Sequence, residues 1–326
     1  MTPANPLLAL PAATADLVRV ELALRDAVKT SDDLLSEMAS HLILAGGKRL
    51  RPLMALVGAR AGGRDVTADV IQGGVAVELV HLGSLYHDDV IDEADMRRTV
   101  PSVNARWGNL RAILSGDFLL ARASELAAAL GAEVAGLLGA TIARLCEGEV
   151  SQLRWAFNPD RPITEYLRAI DGKTASLFAA SCRIGGLVAS LPADAVDALT
   201  VYGRAFGMVF QIVDDLLDVT ASEAQLGKPS GHDLVEGVYN LPVIEALSCG
   251  GPAADELRDL LGRPIDGSEL EKALGMIRSG PGVAAAERAA RRYADQATEA
   301  ARRCGSGETV EAMAAAGHAL IDALRF

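Results

Sequence analysis

HDDVIDEADMRR, residues His87 to Arg98, and its echo VDDLLD, Val213 to Asp218, carry the reading of this chain. Each holds three aspartates at i, i+1 and i+4: Asp88, Asp89 and Asp92 in one, Asp214, Asp215 and Asp218 in the other. On a helix the first and third of each set stack one turn apart on one face, where their charges repel. The apolar neighbours Val90, Ile91, Leu216 and Leu217 place that face inward, so cations must offset the repulsion. Oxygen-only ligands point to magnesium, which keeps part of its water and is completed by substrate phosphates. A solvated acidic face would explain one such cluster. Two matching copies in one chain disfavour it.

Half of the 326 residues are hydrophobic but only 4% are aromatic, and Ala and Leu dominate, which favours helices over strands. The net charge of -12 excludes nucleic acid as a partner, since that binding rests on basic patches. Cys146, Cys182, Cys249 and Cys304 show no short spacing that would make a zinc site or a disulfide framework, and a reducing cytosol fits them. The N-terminal apolar run lacks a basic start and is broken by Pro6 and Pro11, so neither signal peptide nor anchor is expected. No later stretch has the length of uninterrupted apolar residues that a spanning helix needs, so the expectation is a soluble, cytoplasmic protein.

Helical periodicity begins near Thr14, and Ser31 is expected to cap a second helix that stops at Gly46-Gly47. The loop AGGKRLRP then sets Lys48, Arg49 and Arg51 before a helix that Pro52 begins, an arrangement that suits either a helix dipole or a bound anion. Thr67 caps a helix reaching about Ala94, on which His81, Ser84, Asp88 and Asp92 form one polar stripe among buried neighbours, the mark of a cavity wall. Arg97 and Arg98 follow it, fit to meet phosphate groups or nearby carboxylates. Further helices run from Asn109 to about Leu130, from Ala132 to about Phe157, and from Thr164, which carries Lys173 and Thr174. One more, from about Asp194 to Thr220, carries Gln211 and the second aspartate set. Beyond it lies a glycine-rich loop with Lys228 and Asp233 as its charged candidates. No alternating strand pattern and no linker divides the chain. The expected fold is all-α: a single domain over residues 1–326, with two facing helices bringing the aspartate sets together across a central cavity.

GGKRLRP, HDDVIDEADMRR, GKTASLF (Gly172 to Phe178), FQIVDDLLD (Phe210 to Asp218) and GKPSGHDL, in that order, make the chain similar to the trans-isoprenyl diphosphate synthases, or polyprenyl synthetases. The resemblance spans nearly the whole sequence. It implies the isoprenoid synthase fold and a prenyltransferase that condenses isopentenyl diphosphate with an allylic diphosphate. Asp88, Asp89, Asp92, Asp214, Asp215 and Asp218 are implied to hold magnesium, three ions per active site, with manganese able to substitute. Lys48, Arg51, His81 and Arg98 match the isopentenyl diphosphate site, and Arg97, Lys173 and Lys228 match cations around the allylic diphosphate. Lys173, Thr174 and Gln211 match residues that face the developing carbocation. A homodimer is also implied. Two positions depart from the family pattern: Thr99 stands where a glycine commonly follows the paired arginines, and Val238 where a lysine often follows the Glu-Gly pair.

Gly83 and Ser84, five and four residues before Asp88, stand where relatives that stop at fifteen or twenty carbons commonly carry an aromatic floor. Their small side chains therefore imply a product longer than twenty carbons, with Phe118 as a candidate for a deeper floor. The competing readings are a farnesyl or geranylgeranyl diphosphate synthase, a class I terpene cyclase, an HD-type phosphohydrolase suggested by His87-Asp88 and His232-Asp233, and a non-catalytic subunit of a heteromeric synthase. The intact second aspartate set and the scarcity of histidines weigh against the last three.

Overall fold

The structure, a computed structural model, describes residues 5–221 and 230–324. Helices α1 (Ala13–Ala27), α2 (Asp33–Leu44), α3 (Leu50–Ala61) and α4 (Ala68–Ile91) lead to the first aspartate set. From it run α5 (Val103–Trp107), α6 (Asn109–Ala129), α7 (Ala132–Arg154), α8 (Ile163–Ile170), a π-helix (Asp171–Ala175) and α9 (Ser176–Val188). They reach α10 (Ala193–Thr220), which carries the second set. Helices from Leu241 to Asp322 complete an all-α bundle.

The two motif-bearing helices are buried along more than half of their length. Val75, Val77, Leu79, Val80 and Leu82 of α4 are each 2% exposed or less and bury its sides away from the face of His81 and Asp88. α10 is the one described helix long and apolar enough to cross a membrane. Two-thirds of that stretch (67%) is buried inside the protein, so its apolarity is accounted for by packing. Three apolar clusters hold the bundle: one around α4, α6 and α7, one between α10 and the C-terminal helices, and one joining α3, α9 and the first half of α10.

Several local expectations are corrected. Asp32, not Ser31, caps α2, its carboxylate accepting from the Leu35 N–H at 2.9 Å, because the side chain one residue nearer the helix reaches the orphan amides. α3 opens at Leu50, placing Pro52 inside the first turn. Thr67 does cap α4. That helix ends at Ile91 rather than Ala94, where Glu93 takes a left-handed φ of 50°. A two-residue antiparallel ladder also appears, Met96–Arg97 against Val100–Pro101. Its turn residues Arg98 and Thr99 have φ of 52° and 67°, the primed geometry of a tight hairpin, but lack the Asn-Gly chemistry that would have announced it.

Candidate active site

A cavity of about 510 Å³ lies among α4, α6, α7, the π-helix and α10, a usual size for a small-molecule site. Asp88 and Asp214 line it from two different helices, and Arg51, His81, Ser84, Lys173, Thr174 and Gln211 line it as well. The remaining surface is largely aliphatic, from Leu85, Leu120, Ile142, Leu145 and Val150. Asp88 and Asp218 fall in the last turns of their helices, where the negative end of the helix dipole adds to carboxylate repulsion and favours a cation.

The six aspartates divide by position. Asp88, half-buried, has its pKa raised to about 6, first by burial and then by Glu149 and Asp92, with Lys173 opposing. Asp92 is exposed one turn on, beside the charges of Glu236, Lys173 and Glu149; burial is the largest cause of its upward shift. Asp214 is exposed on the cavity side. The other three are in the wall. Asp89 is 0% exposed, with Oδ1 accepting from Arg97 Nε at 2.7 Å and Nη2 at 2.6 Å. Asp215 accepts from the Tyr166 hydroxyl at 2.5 Å and from Gln211 Nε2 at 2.9 Å, and burial raises its pKa to about 7. Asp218 accepts the backbone N–H groups of His232 and Asp233, each at 3.2 Å. Of the six aspartates expected to hold magnesium, Asp89, Asp215 and Asp218 are engaged by protein partners behind the cavity surface.

The expected diphosphate cations are only partly convergent. Arg51 and His81 line the cavity, whereas Lys48 is exposed outside its lining. Burial lowers the Arg51 pKa to about 10, its Nε has no hydrogen-bond partner, and its guanidinium lies 4.9 Å from the Phe178 ring centre. Burial and the surrounding arginines push His81 well below the usual imidazole range. Arg98 donates to the carbonyls of Leu42, at 3.0 Å, and Gly46. A Cβ on Gly47 would come within 2.9 Å of Arg98 Nη1, so Gly47 leaves room for this guanidinium. Arg49 points inward instead, pairing with Glu21 and, at 3.1 Å, with the buried Glu78. Lys228 lies outside the described residues.

Lys173 and Thr174 sit in the π-helix, not in the α-helix expected for them. Lys173 Nζ is 2.6 Å from Glu149, and Thr174 Oγ1 is 2.7 Å from Gln211 Oε1, which in turn leads to Asp215. Burial alone would lower the Lys173 pKa; the Glu149 and Asp88 carboxylates outweigh it and raise it. Glu149, Tyr166 and Glu78 were not singled out from the sequence. Glu78 did leave a signal, as a lone acid inside the apolar run VAVELV; Glu149 and Tyr166 left none that periodicity could find. Of the chain-length positions, Ser84 lines the cavity, but Gly83 faces α6, where a Cβ would stand 3.1 Å from the Gly116 carbonyl oxygen. Phe118 is half-buried in the α4 cluster and does not line the cavity; Leu120 does.

The donor set fits magnesium. Asp88, Asp92 and Asp214 offer oxygen alone, and burial leaves Asp89 Oδ2 without a hydrogen-bond partner, so negative charge here is under-compensated by protein groups. Among the described residues no three acidic, histidine or cysteine side chains are clustered to enclose an ion by themselves. That suits an ion completed by water and phosphate oxygens.

The sequence profile of the polyprenyl synthetase family matches residues 32–277. The chain is 40% identical over 287 residues to nonaprenyl diphosphate synthase of Mycobacterium tuberculosis, covering 88% of this chain and 86% of that one. It is 45% identical over 234 residues to heptaprenyl diphosphate synthase component 2 of Geobacillus stearothermophilus, covering 72% and 73%. It superposes with a TM-score of 0.91, at 32% identity over 98% of both chains, on polyprenyl synthase from Caulobacter crescentus CB15, a crystal structure complexed with calcium and isoprenyl diphosphate. With a family match over most of its length, and aspartate sets that meet across one cavity, the chain belongs to the polyprenyl synthetase family and is a prenyl-transferring enzyme.

Proposed function

We propose that the enzyme condenses isopentenyl diphosphate with an allylic diphosphate, with magnesium, to an all-trans polyprenyl diphosphate longer than twenty carbons. The observation that carries this is a single cavity with acidic and basic groups at one end and an aliphatic wall beyond Ser84. Asp88, Asp92 and Asp214 would hold magnesium, which when bound supplies Lewis-acid stabilisation to a diphosphate leaving group. Lys173 and Arg97 stand to neutralise the same group as its carbon–oxygen bond breaks. Thr174 and Gln211 turn their oxygens toward the allylic cation left behind. Arg51, His81 and Arg98 bind the second diphosphate. The double bond of isopentenyl diphosphate attacks the cation, a carbon–carbon bond forms, and the proton lost from the adduct passes to the departing diphosphate. The aliphatic wall keeps water from trapping the cation.

Chain length follows from the same wall. Ser84 leaves the passage open, and the surfaces beyond it, Leu120, Ile142 and Leu145, are aliphatic. Relatives named for nonaprenyl and heptaprenyl products agree with a long product. The test is incubation of purified chain with labelled isopentenyl diphosphate and starters of ten, fifteen and twenty carbons; release of nothing longer than twenty carbons would overturn the long-chain reading. A second reading, one component of a two-component synthase, is favoured by the likeness to component 2 of the heptaprenyl enzyme. Turnover by the isolated chain would exclude it.

A homodimer belongs to this proposal. Leu110, Ile113 and Leu114 on α6 are 72%, 41% and 54% exposed, an apolar patch outside the cavity lining that a second copy would cover. Leu114→Asp should shift sedimentation from dimer to monomer at micromolar concentration, while a monomeric parent would end the dimer proposal.

A further inference from the structure

We infer that Asp171 is a positioning residue for the reacting end of the site, a role that rests on the prenyl-transfer reading above. Its carboxylate ties the π-helix to two neighbouring helices at once, and the π-helix presents Lys173 and Thr174 to the cavity. A π-helix is an uncommon insertion in an α-helical run and persists only where its surroundings hold it. Here it interrupts the helical run from Ile163 to Val188.

Its flanks are backbone against backbone. A Cβ on Gly172 would stand 2.8 Å from the Arg144 carbonyl oxygen, one on Gly148 2.5 Å from the Lys173 nitrogen, and one on Gly207 2.6 Å from Ala175 Cα. Such close contacts fix how near α7 and α10 come to the π-helix but carry no direction of their own. Directional bonds set the rotation. Inside, Lys173 meets Glu149 of α7 and Thr174 meets Gln211 of α10. Outside, Asp171 Oδ2 is 2.6 Å from Arg144 Nη2 of α7 and Oδ1 is 2.5 Å from Arg204 Nε of α10. Each neighbouring helix is therefore pinned on both sides of the π-helix, and only the inner pair is open to competition from a substrate. When a diphosphate draws Lys173 away from Glu149, the Asp171 bracket is what keeps the backbone in register. The carboxylate is sheltered, at 15% exposure, while its two arginines are 46% and 61% exposed and reach it from the outer surface. Asp171 is absent from the cavity lining, so it acts through Lys173 and Thr174.

The test compares the parent with Asp171→Ala, Asp171→Glu and Arg204→Gln in steady-state kinetics and in amide exchange of the segment 171–176. Asp171→Ala is expected to lower kcat about 10-fold or more, the scale on which small misplacements act. KM for isopentenyl diphosphate should hold within about twofold, because Arg51 and His81 are carried by other helices. Exchange at 171–176 should quicken, and Asp171→Glu should recover most of both effects. If Asp171→Ala does not fold, Arg204→Gln is expected to give the same kinetic pattern in milder form. Unchanged kcat with unchanged exchange, or a loss that Asp171→Glu shares in full, would overturn the role. A parent that condenses nothing would overturn the prenyl-transfer reading instead, and the exchange measurement would still decide whether Asp171 holds the π-helix.

Discussion

Asp89 and Arg97 form an ion pair in which one oxygen of a fully buried carboxylate takes two guanidinium bonds, at 2.7 and 2.6 Å, and the other oxygen takes none. The pair ties the end of α4 to the hairpin that carries Arg97 and Arg98. It also separates Asp89 in role from Asp88, its neighbour on the cavity surface.

Variants of the two should accordingly fail differently. Asp88→Ala and Asp214→Ala are expected to lower turnover by orders of magnitude with helicity and Tm nearly unchanged. Asp89→Ala should cost about 1–3 kcal/mol of stability, since it leaves Arg97 without its buried partner, and should lower activity in consequence. Circular dichroism melts and turnover of the three proteins check this; a full-strength Asp88→Ala enzyme would remove the metal-site assignment.

The response to pH has a definite sign. Asp88 and Asp215 have folded pKa values of about 6 and about 7, above the ordinary 3.8. The folded state therefore holds more protons than the unfolded state between pH 4 and 7, and the metal-free protein loses stability as pH rises through that window. Magnesium held at Asp88 would favour its ionised form, so it should raise Tm more at pH 8 than at pH 5. Equal metal-induced shifts at the two pH values would contradict the placement of these carboxylates.

Ser84→Phe sets a ring on the cavity wall one turn above Asp88 and should shorten the product to fifteen or twenty carbons with the fold intact. Gly83→Phe should instead destabilise, by about 1–3 kcal/mol or more, because its side chain would enter the α4–α6 contact. Product chromatography and melting temperatures of the pair separate a cavity wall from a packing site; identical products from parent and Ser84→Phe would end the chain-length argument.

Thr99 occupies a left-handed turn position with φ of 67°. A β-branched residue there costs about 1–2 kcal/mol, partly offset by the greater freedom that glycine would have in the unfolded chain. Thr99→Gly is thus expected to stabilise the protein by about 0.5–1 kcal/mol with kcat unchanged. A fall in Tm would show that the hairpin does not hold this geometry.

The helical class, the aspartate sets and the polar stripe on α4 were legible in the sequence because they are local: periodicity and composition within one or two dozen residues specify which face of a helix is apolar and which carries charge. So was the family, through five ordered motifs. What each charged side chain does was decided only by tertiary structure. Asp88 and Asp89 are adjacent and chemically identical, yet one faces a cavity and the other a buried arginine. The difference depends on helix rotation, which the packing of α6 and the hairpin determines. Asp215 takes its hydroxyl partner from Tyr166, 49 residues away, and Lys173 takes Glu149 from another helix. The π-helix was likewise invisible, since nothing in the residues of GKTA distinguishes it from an α-helical turn. Gly148, Gly172 and Gly207 let three backbones approach there, and burial makes those contacts favourable only once the helices have assembled.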